Sequence, residues 1–132
     1  MLIGNYFKNV NLSFKNHKFS GLSFNSNNCK KNYIFFAIKG NNLNGNKFIN
    51  HAINKGAKTV VSNIKYEGFK KDVLFIRTNN VRRLLSETVS KIYRKKPKNL
   101  VAVTGTNGKS SIADFYLQIL KLNKKKEALI GT

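Results

Sequence analysis

The chain has 132 residues, with 25 Lys and Arg against 5 Asp and Glu, a formal charge of +20 and 41% hydrophobic content. That apolar fraction supports a buried core and excludes wholesale disorder. No apolar run reaches the roughly 18–20 residues of a membrane span, and the single Cys29 excludes both an internal disulfide framework and a Cys-rich zinc site.

In chain order, Leu2, Ile3, Tyr6 and Phe7 predict one short amphipathic helix. Phe19 to Phe24 alternates apolar and small residues, a strand closed by the turn-rich run Asn25-Ser26-Asn27-Asn28. Tyr33 to Ile38 is an uninterrupted apolar run of strand length, the pattern of a strand covered on both faces. After Gly40 and a polar loop, Phe48, Ile49, Ala52 and Ile53 recur at helical spacing, with Gly56 at the stop. Thr59-Val60-Val61 and Val73 to Ile76 predict two more strands. A helix capped by Asn79 or Asn80 follows, its stripe running Val81, Leu84, Leu85, Thr88, Val89, Ile92 and Tyr93. The only proline, Pro97, sits in the charged run 94–99, the best candidate for a domain boundary.

The charge invites a nucleic-acid reading, yet 21 of the basic residues are Lys and only Arg77, Arg82, Arg83 and Arg94 are Arg. Arg is the residue favoured for bidentate phosphate and base recognition. Lys, Asn, Ile and Phe, all abundant here, are the residues of AT-rich codons, so codon bias accounts for the charge without a polyanion partner. A small basic nucleic-acid-binding module stays open as a rival. It predicts aromatics alternating with basic residues on an exposed sheet face.

The chemistry is concentrated after residue 99. Leu100-Val101-Ala102-Val103 predicts a short buried strand running into Thr104-Gly105-Thr106-Asn107-Gly108-Lys109-Ser110-Ser111. A helix follows, with Ile112, Phe115, Tyr116, Ile119 and Leu120 on one stripe. Strand, Gly-rich turn, Lys-Ser and helix is the context of a phosphate loop. Gly105 and Gly108 let successive N–H groups turn inward toward phosphate oxygens. Lys109 is placed for the β- and γ-phosphates of ATP, and the Ser110 hydroxyl for Mg²⁺. The longer G-x-x-x-x-G-K-[ST] spacing is not met, because Val103 stands five before Gly108; the loop is the compact G-x-x-G-K-S form.

Gly105-Thr106-Asn107-Gly108-Lys109-Ser110-Ser111 resembles the ATP loop of the Mur ligases, the ATP-dependent amide-forming enzymes of peptidoglycan synthesis. Similar loops occur in folylpolyglutamate synthases and cyanophycin synthetases, so the upstream half carries the discrimination. The MurE-type pattern of D-S-R, L-F-V-A-x-x-G, D-G-x-x-F-I, A and G-A is met here, in order and spacing. The matching residues are Asn25-Ser26-Asn27, Ile34 to Gly40, Asn44 to Ile49, Ala52 and Gly56-Ala57. Ile130-Gly131-Thr132 resembles the strand end that follows the first ATP-domain helix. Asn replaces the family's charged residues at positions 25, 27 and 44, which weakens the motif's electrostatics.

The resemblance implies an α/β fold: a small N-terminal substrate domain over 1–96, then the first strand, phosphate loop and helix of an ATPase-like central domain over 97–132. It implies ATP contacts at Gly105, Thr106, Asn107, Gly108, Lys109, Ser110 and Ser111, with Lys109 catalytic and Ser110 on Mg²⁺. Contacts to a UDP-sugar map to Phe24, Ser26, Asn41, Asn42 and Leu43. It further implies a cytoplasmic ligase joining diaminopimelate, or Lys, to UDP-MurNAc-L-Ala-D-Glu through an acyl phosphate, with no specific nucleic-acid partner. MurF-type and cyanophycin-synthetase-type ligases are the alternatives. The resemblance also places most of a three-domain enzyme beyond Thr132, so the chain is expected to be inactive alone.

The remaining candidates point elsewhere. His17 and His51 have no carboxylate or second His at ligand spacing. Cys29 has Lys30 and Lys31 beside it, neighbours that lower a thiol pKa, yet nothing else suggests a nucleophile. Asp114, on the helix after the loop, is expected at the surface.

Overall fold

A computed structural model describes residues 1–8, 10–41 and 43–131, and divides the chain into two compact units, Met1–Arg94 and Lys95–Thr132. The first unit is a five-stranded sheet in the order β1-β2-β3-β5-β4. Its strands are β1 (Gly21–Ser23), β2 (Tyr33–Phe36), β3 (Ala57–Ser62), β4 (Gly68–Lys70) and β5 (Val73–Arg77). β1, β2, β3 and β5 run parallel, and β4 closes one edge antiparallel to β5.

The continuous apolar runs have a direct cause, because successive side chains point to opposite faces and both faces are covered. Ile34, Phe36, Val61, Leu74 and Ile76 face a layer made by Ile3, Phe7, Val10, Phe14, Phe19 and Val81. Phe35, Ala37, Val60 and Val73 face the other way, onto Cys29, Ile49 and Ala52. Phe36 is fully buried and stacks on Phe7, with ring centroids 6.5 Å apart. Because Phe35 and Phe36 both lie inside, β2 offers no exposed aromatic face of the kind a nucleic-acid module would use.

Helix α1 (Ile49–Asn54) packs on β3, and α2 (Val81–Ile92) lies on the opposite layer. Asn80 supplies the α2 cap, its Oδ1 accepting from Arg83 N at 2.9 Å. Val81 and Thr88 are buried on the expected stripe, and Leu84, Leu85 and Ile92 pack against the core. Tyr93 is corrected: it is the residue after the last turn and stands exposed.

Two further expectations are corrected, and one strand was missed. The N-terminal segment forms two 3₁₀ turns, Ile3–Asn5 and Leu12–Phe14, rather than one helix. Tyr6 N and Phe7 N both return to Ile3 O and the turn stops there, while the otherwise free N–H groups of Ile3 and Gly4 tie the segment to the carbonyls of His17 and Lys15. β4 was not predicted, being three residues long and half polar at an edge. Residues 100–103 carry no strand ladder, and Leu100 and Val101 are exposed. A strand needs a neighbour for its N–H and C=O groups, and the described part of the second unit contains no other strand. That unit consists of this segment, the Gly-rich turn, α3 (Lys109–Leu122) and a terminal stretch.

Candidate functional site

In a parallel sheet, ligands bind beyond the carboxyl ends of the strands. At the end of β1, Ser23 Oγ donates to Asn25 O (2.7 Å) and accepts from Asn25 N (3.0 Å). Asn25 Oδ1 in turn accepts from Asn27 N at 2.9 Å, capping the 3₁₀ turn Ser26–Asn28. Capping uses only an acceptor oxygen, so Asn does there what Asp does. The same holds at Asn44, whose Oδ1 accepts from Asn46 N (3.1 Å) and caps the turn Gly45–Phe48. At both positions the cap is therefore made by a neutral amide oxygen.

Ser26 is 7% exposed, and its Oγ lies 3.0 Å from His51 Nδ1 on α1. Phe24 is exposed, and with Ser23, Asn27, Asn28 and Tyr33 it lines a cavity of about 510 Å³. The loop after β2 closes on itself: Gly40 N donates to Leu43 O (2.8 Å), and Gly45 N to Ile38 O (2.9 Å). Gly45 is required by close approach, since a Cβ there would stand 2.6 Å from both Ile38 N and Ile38 O. Asn41 and Leu43 are exposed on this loop; Asn42 lies outside the described residues, as does Thr132. At the end of β3, Asn46 Nδ2 donates to Asn63 Oδ1 at 2.8 Å. Asn46 Oδ1 and Ser62 Oγ are buried there without a protein partner among the described residues.

Cys29 is inert as expected, and only the effect of its lysine neighbours is corrected. It is buried with its sulfur 3.8 Å from Asn25 O, and burial pushes the thiol pKa up rather than letting Lys30 and Lys31 lower it. His17 packs edge-on against Phe69, with centroids 5.5 Å apart; desolvation lowers its pKa against the opposing pull of a hydrogen bond to the Lys58 backbone. Among the described residues, no three His, Cys, Asp or Glu side chains gather as a metal site.

In the second unit, Gly105 (φ 152°) and Gly108 (φ 73°) both adopt positive φ, a region glycine enters without a Cβ penalty. Gly108 is the N-cap of α3 and no side chain caps it, so the first-turn N–H groups point out of the helix toward the loop. Lys109 folds back over the turn, its Nζ donating to the carbonyls of Gly105 and, at 3.0 Å, Thr106. Thr106, Asn107, Ser110 and Ser111 are exposed around this turn, and Asp114 is exposed on α3. Unpaired backbone donors at a helix N-terminus with an ammonium beside them are of a kind that attracts anions. No local pattern signals the Ser26–His51 pair, because 25 positions separate the two residues and only packing joins them.

The parallel sheet flanked by helices describes an α/β chain. The chain belongs to the Mur ligase family: the family's model, "Mur ligase family, catalytic domain", matches residues 18–93. It is 48% identical over 124 residues to the UDP-N-acetylmuramoyl-L-alanyl-D-glutamate–2,6-diaminopimelate ligase of Rickettsia prowazekii, covering 94% of this chain and 25% of that protein. The ligase of the same name in Clostridium tetani is 41% identical over 115 residues, covering 84% of this chain and 24% of that protein. The chain thus spans about a quarter of the length of the curated relatives it matches. Among solved structures, the MurF ligase of Thermotoga maritima in complex with ADP aligns with a TM-score of 0.60 at 22% identity, over 76% of this chain and 23% of that one. The UDP-N-acetylmuramoylalanyl-D-glutamyl-2,6-diaminopimelate–D-alanyl-D-alanyl ligase of Acinetobacter baumannii aligns at 0.56 and 16%, over 79% and 23%. At these identities the two structures speak to fold.

Proposed function

We propose that this chain is the nucleotide-sugar-binding part and the phosphate loop of an ATP-dependent ligase. That ligase joins diaminopimelate, or Lys, to UDP-MurNAc-L-Ala-D-Glu in the cytoplasm. The observation that carries this reading is the turn Gly105–Lys109, with two positive-φ glycines and an ammonium folded across it at the start of α3. The names of the relatives support diaminopimelate addition over MurF-type chemistry. No helix among the described residues is long and apolar enough to cross a membrane.

The chemical problem is that a carboxylate is a poor acyl donor. Moving the γ-phosphate of ATP onto the D-Glu carboxylate creates a leaving group, which the incoming amine displaces. The loop N–H groups hold the phosphates, and Lys109 exchanges its carbonyl partners for β- and γ-phosphate oxygens. Ser110 fits Mg²⁺: its hydroxyl is exposed in the first turn of α3, beside the loop. When bound there, the ion neutralises charge that develops on the transferring phosphoryl group. Ser26, Phe24 and the loop Asn41, Asn42 and Leu43 hold the uridine end of the sugar nucleotide.

The test is calorimetric titration of the chain with ADP and Mg²⁺. Wild type gives weak saturable binding that Lys109→Ala loses; equal binding by both would remove the assignment.

A further inference from the structure

We propose that His51 is a positioning residue for the Ser26 hydroxyl, fixing how that hydroxyl presents itself to the nucleotide. The inference rests on the assignment of Ser26 to the nucleotide-sugar site. Ser26 opens the turn after β1 and is 7% exposed, so its hydroxyl needs a partner inside the protein. Its backbone carbonyl is occupied by Cys29 N, and the turn itself is held by Asn25. His51 Nδ1, at 3.0 Å, is the one hydrogen-bond partner of Ser26 Oγ among the described residues.

A serine side chain has three staggered rotamers, and a single fixed partner selects one of them. The partner also sets polarity, because a hydroxyl has one proton to give and two lone pairs. With His51 protonated on Nε2, Nδ1 accepts the Ser26 proton, and Ser26 turns lone pairs toward an imide N–H. With the proton on Nδ1, the ring donates, and Ser26 is free to donate to a carbonyl oxygen. In both cases the ligand meets a hydroxyl whose direction α1 has set. α1 packs directly against the turn that carries Ser26, so the distance is maintained by the core residues Ile49 and Ala52 on either side of His51.

The test uses UDP as the probe and the whole chain as the protein. Titrations compare wild type with Ser26→Ala, His51→Ala, His51→Asn, His51→Gln and the double alanine variant. Ser26→Ala and His51→Ala each weaken UDP binding roughly five- to tenfold, the size of one lost hydrogen bond, and the double variant is no weaker than either alone. His51→Asn stays within about twofold, because its carboxamide puts a polar atom where Nδ1 stood, while Gln places its amide one bond further out and does not rescue. Loss in Ser26→Ala with wild-type affinity in His51→Ala overturns the positioning role and leaves the site standing. Wild-type affinity in Ser26→Ala overturns the site and the positioning role with it. Should His51→Ala fail to fold, the ¹⁵N resonance of His51 Nδ1 decides: it moves in Ser26→Ala and on adding UDP to wild type, and an unmoved resonance contradicts the proposal.

Discussion

The Lys109 ammonium lies 3.0 Å from the carbonyl oxygen of Thr106 and also bonds the carbonyl of Gly105, so the loop's cation rests on the loop's own backbone. A phosphate arriving at the α3 N-terminus competes for that ammonium. Acetylating reagents should therefore label Lys109 readily in the free chain and several-fold more slowly with ADP and Mg²⁺ present, as read by mass spectrometry. Equal labelling would mean that the ammonium does not move onto phosphate.

Gly108 sits at φ 73° with no atom within 4 Å of where a Cβ would stand. The cost of a side chain there is thus conformational rather than steric. Gly108→Ala should cost about 1 kcal/mol of local stability for the left-handed backbone, and Gly108→Asn less. The difference appears in amide exchange over the first turn of α3.

Gly45 presents the opposite case, since a Cβ would strike the Ile38 backbone at 2.6 Å. Gly45→Ala should destabilise the first unit by about 1–3 kcal/mol, because backbone must shift to admit it. Phe36→Ala, which empties a fully buried site against Phe7, should cost about 3–5 kcal/mol. Urea unfolding measures both.

His17 gives a pH dependence with a definite sign. Desolvation lowers its folded pKa below the ordinary 6.5, so the unfolded chain binds the proton more tightly. Its contribution is intact above about pH 6.5 and is lost as the pH falls through that value. The urea midpoint of wild type should therefore drop more between about pH 7 and pH 5 than that of His17→Phe, which keeps the contact with Phe69 and cannot titrate. Parallel slopes would contradict this.

Cys29 should be slow to react. Burial and a raised pKa leave little thiolate, so a disulfide reagent at about pH 8 should modify it far more slowly than free cysteine. Full reactivity in urea shows that packing is the cause.

The sheet was legible because its strands are buried on both sides: Tyr33–Phe36 and Val73–Arg77 read as apolar runs whichever face a residue takes. The helices were legible from stripe and cap, as Asn80 and Gly56 show. What depends on distant partners was not. The N-terminal turns are held by the distant pairs Ile3 N–His17 O and Gly4 N–Lys15 O, and the ladder expected at 100–103 needs a neighbour that local pattern cannot supply. In the candidate site, the glycine turn was visible as a motif, while His51 reaches Ser26 only through the packing of α1. The +20 charge said least: the caps at Asn25 and Asn44 are made by neutral amide oxygens, so the local structure there does not rest on charge.

Under the proposed function, the chain recognises a sugar nucleotide through the carboxyl end of its parallel sheet. Calorimetric titration with UDP-MurNAc-L-Ala-D-Glu in about 0.2 M salt, where non-specific attraction to a basic surface is largely screened, tests it most directly. Saturable one-to-one binding that free UDP displaces is expected. Binding that vanishes in salt, or that UDP leaves untouched, would contradict it.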